Sequence, residues 1–221
     1  MLINADLGER AVSFADEVEW KASSLDGVQR RTLERDGDKV ARATSVIRYP
    51  AGSHFPRHVH ALGQELLVLD GMFSDERGDS PAGTYVRNPP GSAHASWSDK
   101  GCVVLVKLRQ FHPEDLERVV VDCRSAEWFP ATVKGIGVLP LHRFGSEFVS
   151  LVRYARGVQF VPHVHPGGEE IHVLEGAVED DEGRYAASSW IRNPPLSQHA
   201  PFSLDGCLLY VKIGHLPMVV K

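Results

Sequence analysis

The sequence contains two copies of one pattern. When the chain is shifted by 105 residues, 48–108 aligns with 153–213 without a gap, and 27 of these 61 positions are identical. An internal duplication of this length means that one fold is built twice, so it limits the architecture more than any single motif does. We predict two tandem modules, 1–112 and 113–221, each of the size of a small domain. Two copies form a pair rather than a solenoid.

Each copy has the pattern of a β protein. Short apolar runs end in glycine (LLVLDG and IHVLEG), and other runs are rich in β-branched and aromatic residues (VVLVKL and LLYVKI). Turn sequences such as DERGD, NPPGS, SDKG and DDEG separate them at short intervals, which is typical of sandwiches and barrels. Only brief stretches, such as Glu114–Val121, have a composition that suits a helix. We therefore predict an all-β chain made of two small barrels.

Composition and charge exclude several classes of protein. The net charge is −5, which provides no basic surface for nucleic acid or an anionic membrane. No apolar run approaches the ~20 residues of a membrane span, and the first residues lack the pattern of a signal peptide. The three cysteines form no CxxC pair, which argues against a disulfide framework or a cysteine zinc site. We expect a cytoplasmic protein with neither nucleic acid nor membrane as a partner.

Each copy carries four candidate metal ligands at one spacing: two histidines two residues apart, a polar residue four positions later, and a third histidine thirty residues beyond that. The candidates are His58, His60, Gln64 and His94 in the first copy, and His163, His165, Glu169 and His199 in the second. Side chains at i and i+2 of a strand point to the same face, so each HxH pair points together. An isolated HxH pair is more often a surface or hydrogen-bonded pair. The duplication kept all three histidines while more than half of the aligned positions changed, which favours a metal site.

These spacings resemble the two motifs of the cupin family. The first copy reads G-x5-H-x-H-x3-Q-x6-G and then G-x5-P-x-G-x2-H, and the second keeps the first motif but has Ser188 and Leu196 at glycine positions of the second motif. The resemblance implies two double-stranded β-helix, or jelly-roll, barrels, and a bicupin. Its six-residue gap before glycine implies Gln64 and Glu169 as the fourth ligands, and strand alternation turns the neighbouring Glu65 and Glu170 to the opposite face.

Within the cupins, FPxHxH, AGTYVRNPPGSxH and GCxxxVK are most similar to the ChrR cupin domain. ChrR-like proteins are zinc-binding anti-sigma factors that hold an ECF sigma factor and respond to oxidative stress. They place a helical zinc domain before one cupin, whereas residues 1–47 here contain no cysteine and match the start of the second copy. The resemblance therefore implies a bicupin made of ChrR-type sensory domains, with a sigma factor as a candidate partner.

Three imidazoles and one oxygen donor suit several divalent metals. We expect zinc first, with iron, manganese, nickel or copper as alternatives that the ligand set leaves open. Gln64 is neutral where Glu169 is charged, so we predict weaker metal binding in the first copy, or binding with an anion or water that compensates. The alternative is that the first site has decayed and binds no metal.

The leading functional hypothesis is a metal-binding ChrR-like bicupin with a sensory or regulatory role in the oxidative-stress response. The alternatives are an Fe(II)-dependent cupin dioxygenase that acts on a small diketone, and a module that binds a small molecule in its barrel. No catalytic residue is assigned. A homodimer is a further expectation.

Overall fold

A computed structural model describes residues 1–15, 17–23, 25–38 and 40–218 of the protein. The regular elements in these ranges are β-strands, which confirms the prediction of an all-β chain. The stretch Glu114–Val121, whose composition also suits a helix, contains no helix, and Val119–Asp122 is a strand. The described ranges contain no helix with the length and apolar character needed to cross a membrane.

Twenty-three strands are described, in chain order. The first twelve are β1 (Leu2–Ile3), β2 (Ala11–Ser13), β3 (Lys21–Ala22), β4 (Gln29–Asp36), β5 (Arg42–Tyr49), β6 (Ser53–His60), β7 (Gln64–Asp75), β8 (Gly78–Pro81), β9 (Thr84–Asn88), β10 (Ser92–Ser98), β11 (Cys102–Leu108) and β12 (Val119–Asp122). The others are β13 (Phe129–Pro130), β14 (Ile136–Phe144), β15 (Glu147–Tyr154), β16 (Val158–Gln159), β17 (His163–His165), β18 (Glu169–Asp180), β19 (Gly183–Ala186), β20 (Trp190–Asn193), β21 (Ser197–His199), β22 (Phe202–Ser203) and β23 (Cys207–Ile213).

The strands form two compact units. Unit 1 comprises Met1–Ala5 and Val18–Ala126, and unit 2 comprises Asp6–Glu17 and Glu127–Lys221. In unit 1 the main antiparallel sheet has the order β1-β4-β5-β11-β7-β10-β6, and β9 pairs with β7 and β12. In unit 2 the order is β13-β14-β15-β23-β18-β20-β2, and β17 pairs separately with β21. The run β4-β5-β11-β7 of unit 1 corresponds to β14-β15-β23-β18 of unit 2, and the pairing of β7 with β9, and of β9 with β12, corresponds to that of β18 with β20, and of β20 with β2. These shared pairings are the structural form of the sequence duplication.

The units take one strand each from the other sequence copy. β2 lies in the first copy but pairs with β20 of unit 2, where Val12 is opposite Ile191. β12 lies in the second copy, 108 residues after β2, and pairs with β9 of unit 1, where Val120 is opposite Val86. The registers correspond, because Val86 and Ile191 are related by the 105-residue shift. The copies 1–112 and 113–221 therefore describe the repeat in sequence, whereas each unit covers a sheet edge with a strand from the other copy.

Inward-facing residues of the central strands fill each unit. The core of unit 1 is centred on Leu66, Val68 and Val104, and the core of unit 2 on Val173 and Leu209. Buried and exposed residues alternate little along β7 and β18, because each strand is covered on both faces over its first half. These packed strands hold the histidine-bearing strands at one end of each interior.

The glycine that closes the first histidine motif has a steric role in both units. Gly71 and Gly176 have φ of +72° and +69°. A Cβ on either would collide with the carbonyl oxygen of Gly101 or Gly206, so only glycine fits the bend in the long strand.

Candidate metal centres

Unit 2 brings its three histidines together across one strand pair. His163 and His165 lie on β17, and His199 lies opposite His163 on β21. One ring nitrogen of each lies within 4.8 Å of the others. The Nε2 atoms of His165 and His199 are 2.9 Å apart. Two ligands of one zinc or iron ion at about 2.1 Å stand roughly 3.0–3.4 Å apart, so this cluster has the size of a metal site.

A hydrogen bond at Nδ1 of His163 determines that its other ring nitrogen, Nε2, faces the cluster. Its Nδ1–H donates to the carbonyl oxygen of Val161 at 2.9 Å, which leaves the Nε2 lone pair directed inward. His58 is held in the same way in unit 1, by the carbonyl oxygen of Pro56 at 2.9 Å. The backbone before each HxH pair therefore sets the tautomer that a metal requires.

Glu169 completes the cluster in unit 2. Its Oε2 lies 3.3 Å from Nε2 of His199 and 3.5 Å from Nε2 of His165. The same oxygen accepts a hydrogen bond from Nδ2 of Asn193 at 2.9 Å. Glu169 is the first residue of β18 and is opposite Asn193 on β20, so sheet register places the carboxylate. Three imidazoles and one carboxylate form a donor set that fits a divalent transition metal.

Unit 1 repeats the histidine geometry. His94 on β10 is opposite His58 on β6, and Nε2 of His60 lies 3.0 Å from Nε2 of His94. One nitrogen of each of the three rings lies within 4.8 Å of the others. Gln64 begins β7, and its Oε1 accepts a hydrogen bond from Nδ2 of Asn88 at 3.1 Å. Asn88 and Asn193 occupy equivalent positions of the two copies. The first orients an amide oxygen in unit 1, and the second orients a carboxylate oxygen in unit 2.

The support of the third histidine differs between the units. In unit 1, Nδ1–H of His94 donates to Oδ2 of Asp75 at 3.0 Å. The matching Asp180 of unit 2 instead forms an ion pair with Arg10 at 2.7 Å and accepts a hydrogen bond from Tyr185 at 3.0 Å. A carboxylate behind a histidine raises its basicity as a ligand. The first candidate site thus has a carboxylate behind a histidine, and the second has a carboxylate among its four candidate donors.

Burial keeps four of the six cluster histidines, His60, His94, His165 and His199, neutral at neutral pH. It lowers the pKa of His60 and His165 to about 3, with the neighbouring imidazoles adding to the effect, and that of His199 to about 4. It also lowers the pKa of His94, which the Asp75 carboxylate partly opposes. Burial raises the pKa of Glu169 to about 7. Neutral imidazoles are the form that binds metal, and a nearby cation would favour the ionised carboxylate.

The adjacent glutamates face away from the clusters. Glu65 pairs with the buried Arg87 at 2.8 Å, and Arg87 also donates to Asp115. In unit 2, Glu170 accepts from the indole nitrogen of Trp190 at 3.0 Å and contacts His215 at 2.8 Å. Strand alternation therefore assigns Gln64 and Glu169, not their neighbours, to the histidine side.

A cavity of about 420 Å³ reaches the cluster in unit 2. Besides His163, His165 and Glu169, its walls are mostly apolar. Representative lining residues are Val138, Phe148, Val152, Phe160, Ile171 and Leu209. A pocket of this size and character suits a small organic molecule.

The cavity of unit 1 is larger and differently charged. It measures about 600 Å³ and includes His58, His60 and Gln64. Its other walls combine apolar side chains with Arg30, Arg35 and further basic residues. Sequence reasoning did not identify this charge, nor Asp75, Asn88 and their counterparts. The signal for Asp75 was its identity with Asp180 in the alignment of the two copies.

All-β units with a histidine triad at the end of each interior define a bicupin with two candidate metal sites. A family model for the ChrR Cupin-like domain matches residues 8–112 and again 116–217. The chain therefore belongs to the ChrR Cupin-like domain family, as two domains in tandem. A search of the curated proteins found no match.

Solved structures show the same two-barrel fold at low sequence identity. A proposed dioxygenase from Nostoc punctiforme matches with a TM-score of 0.78 and 16% identity, over 97% of this chain and 85% of that one. The Ylba protein of E. coli gives 0.74 and 14%, over 99% and 96%. An oxalate decarboxylase variant from Bacillus subtilis gives 0.67 and 13%, over 92% and 77%. At such identities the likeness establishes the fold alone.

Proposed function

We propose that the chain is a metal-dependent bicupin enzyme that binds a small, mainly apolar molecule in the barrel of unit 2, the second barrel, and oxidises it with O₂. The barrel of unit 1 is the first barrel. The observation that carries this proposal is the junction of the His163–His165–His199 and Glu169 cluster with the apolar cavity of about 420 Å³. A purely structural metal needs no cavity of this size beside it.

Each side chain of the cluster has a defined role in this proposal. His163, His165 and His199 offer inward lone pairs, and Glu169 supplies the charged fourth donor, oriented by Asn193. A bound divalent iron ion would supply the redox chemistry and bring O₂ and substrate together. The apolar walls, with Phe160 beside His163 at a ring separation of 4.8 Å, bind the organic part of the substrate and exclude water.

The reaction class that fits is oxidative cleavage of a small 1,3-diketone. Breaking one carbon–carbon bond with O₂ gives a carboxylic acid and a 2-oxoaldehyde, so both oxygen atoms enter the products and no external reductant is required. The similarity to the Nostoc punctiforme dioxygenase fold agrees with this class.

Oxygen uptake tests the proposal directly. Protein loaded with Fe²⁺ should consume one O₂ per molecule of acetylacetone cleaved, and Glu169→Ala should abolish uptake while leaving the protein folded. The matched variant Gln64→Ala changes the equivalent position of the other barrel and should retain the activity. Oxygen uptake with acetylacetone and other small 1,3-diketones that is no higher than that of metal-free protein would contradict the proposal.

Family membership favours a second candidate. ChrR Cupin-like domains on both halves agree with a regulatory, metal-binding role and with a sigma factor as partner. In that case zinc, which needs no open position, would fill the second site with four protein ligands. Co-purification of a sigma factor with zinc-loaded protein that lacks oxygenase activity would favour this candidate over the enzyme.

A further inference from the structure

We infer that the cavity of the first barrel is a binding site for the carboxylate of a small organic acid, and that Arg30 is its anchoring cation. The inference builds on the metal site proposed above, since Arg30 lines the same cavity as His58, His60 and Gln64. It gives the two barrels different ligands: an organic anion in the first and an uncharged apolar molecule in the second.

Arg30 lies on the inner face of β4. It is opposite Ile47 on β5, and both line the cavity. The next residue, Arg31, faces outward, with its guanidinium 4.7 Å from the ring of Trp20. Strand alternation thus places one arginine in the cavity and its neighbour on the outer surface.

The guanidinium of Arg30 has no counter-ion among the described residues. Its Nε–H is buried and donates to no acceptor in that part of the chain. None of the described side chains that line the cavity is an Asp or a Glu. Burial lowers the pKa of Arg30; Tyr49 partly opposes this effect, and the nearby Arg35 adds to it. A partly buried cation without an anion is costly, and an anionic ligand would remove that cost.

Comparison of the two barrels shows that the charge is specific to the first. Because Ile47 and Val152 are related by the 105-residue shift, the residue opposite Val152, Val138, is the counterpart of Arg30. Val138 also lines its own cavity.

Two further lining positions change in the same direction. Gln64 replaces Glu169, and Arg109 stands where the second barrel has Gly214. Over these three matched positions the first cavity is more positive by three formal charges when Glu169 is ionised, and by two when it is protonated. A divalent ion held by three neutral histidines and an amide would make the first cavity more positive still.

The rest of the cavity indicates an organic rather than an inorganic anion. Ile47, Tyr49, Phe55 and Leu108 form an apolar wall, with the rings of Tyr49 and Phe55 5.0 Å apart. A planar guanidinium binds a carboxylate through two parallel hydrogen bonds, and the apolar wall would cover the attached hydrocarbon group.

Calorimetry with benzoate and its uncharged isostere benzamide tests the assignment. Wild-type protein should bind benzoate and should bind benzamide at least about tenfold more weakly, since a charge-assisted bond is lost. Arg30→Val, which introduces the residue of the second barrel, should weaken benzoate binding by about tenfold to a hundredfold. Arg31→Leu, the neighbouring outward-facing change, should leave it unchanged. Sulfate, an anion without an apolar group, should compete poorly.

A second readout separates a binding role from a structural one. Because Arg30 has no counter-ion within the described ranges, Arg30→Val should raise the melting temperature of the ligand-free protein, and benzoate should stabilise wild type but not this variant. Equal benzoate affinity of wild type and Arg30→Val, or benzamide binding as tight as that of benzoate, would overturn the inference. So would a lower melting temperature of the ligand-free Arg30→Val protein combined with unchanged benzoate affinity.

Metal content, measured on the same samples, separates this inference from the proposed function. Arg30-dependent benzoate binding should persist, though more weakly, after chelator treatment. Such binding in a protein that takes up no metal would support the anion site while contradicting the metal site. A protein that binds metal in both barrels but no benzoate would leave the metal site standing and overturn the anion site.

Discussion

Glu169 and His199 lie 3.3 Å apart, measured from the carboxylate Oε2 to the imidazole Nε2. At neutral pH this imidazole is unprotonated, because burial lowers its pKa to about 4. The contact is therefore not an ion pair, and its length is that of two donors on one metal ion. The proposed chemistry of the second barrel depends on this relationship.

The charge of the fourth donor should decide relative metal affinity. Glu169→Gln should weaken metal binding in the second barrel by about tenfold or more, because one Coulomb attraction in a partly dry site is lost. Gln64→Glu should strengthen binding in the first barrel. Titration calorimetry with Zn²⁺ on both variants checks this, and unchanged affinity in both would refute it.

The carboxylate behind His94 should matter only in the first barrel. Asp75→Asn should weaken metal binding there by about tenfold to a hundredfold, because the imidazole loses its anionic support. The matched change Asp180→Asn should leave affinity nearly unchanged, since Asp180 is held by Arg10 and Tyr185. Equal effects of the two variants would show that Asp75 plays no special part.

Arg10, which precedes β2 in the N-terminal part of unit 2, should contribute to the stability of that unit. Arg10 pairs with Asp180 and Glu182 and donates to Asn193 at 3.0 Å, so Arg10→Ala should lower the free energy of unfolding by about 1–3 kcal/mol. Arg118, at the equivalent position of the second copy, is exposed, and Arg118→Ala should change stability by less than about 0.5 kcal/mol. Urea denaturation of both variants is the measurement, and equal losses would contradict the prediction.

Metal-free protein should lose stability in acid. The folded-state pKa values of His165 and His199, about 3 and about 4, lie below the ordinary value of 6.5. Between these values the unfolded chain binds more protons, so stability falls as pH falls from about 6.5, at up to about 1.4 kcal/mol per pH unit for each histidine. Denaturation midpoints that stay flat from pH 7 to pH 4 would contradict the prediction.

Glu169 should change the stability of metal-free protein with pH in the direction opposite to that of the histidines. Its folded-state pKa, raised to about 7 from 4.5, means that the folded protein holds the extra proton between these values. Stability from this group is present below about pH 4.5 and is lost as pH rises through about 7. In metal-free Glu169→Gln this loss should disappear, and a pH series of unfolding free energies for both proteins would detect it.

Sequence spacing was enough to predict the all-β class and the two histidine triads. HxH pairs on strands are local features, and the duplication showed which polar residues recur with them. The structure adds that Glu169, and not Glu170, faces its triad, as strand alternation indicated.

Long-range pairing was beyond the reach of the sequence. β2 has three residues, and nothing in Ala11–Ser13 indicates that it pairs with a strand about 180 residues later. Its counterpart Val119–Asp122 is equally hard to recognise, because a short charged and apolar stretch fits a strand or a helix. Arg30 was missed for a related reason: the run QRRTLERD looks solvent-exposed, and only the pairing of β4 with β5 shows which arginine faces the cavity.

Metal content per chain tests the central claim most directly. Protein purified without chelators and reloaded with Fe²⁺ or Zn²⁺ should hold metal, and replacing His163 and His165 together by alanine should remove the tightly bound fraction. The matched double change of His58 and His60 should remove only a weaker fraction. A metal-to-chain ratio that is the same in wild type and in the His163→Ala, His165→Ala protein would contradict the account.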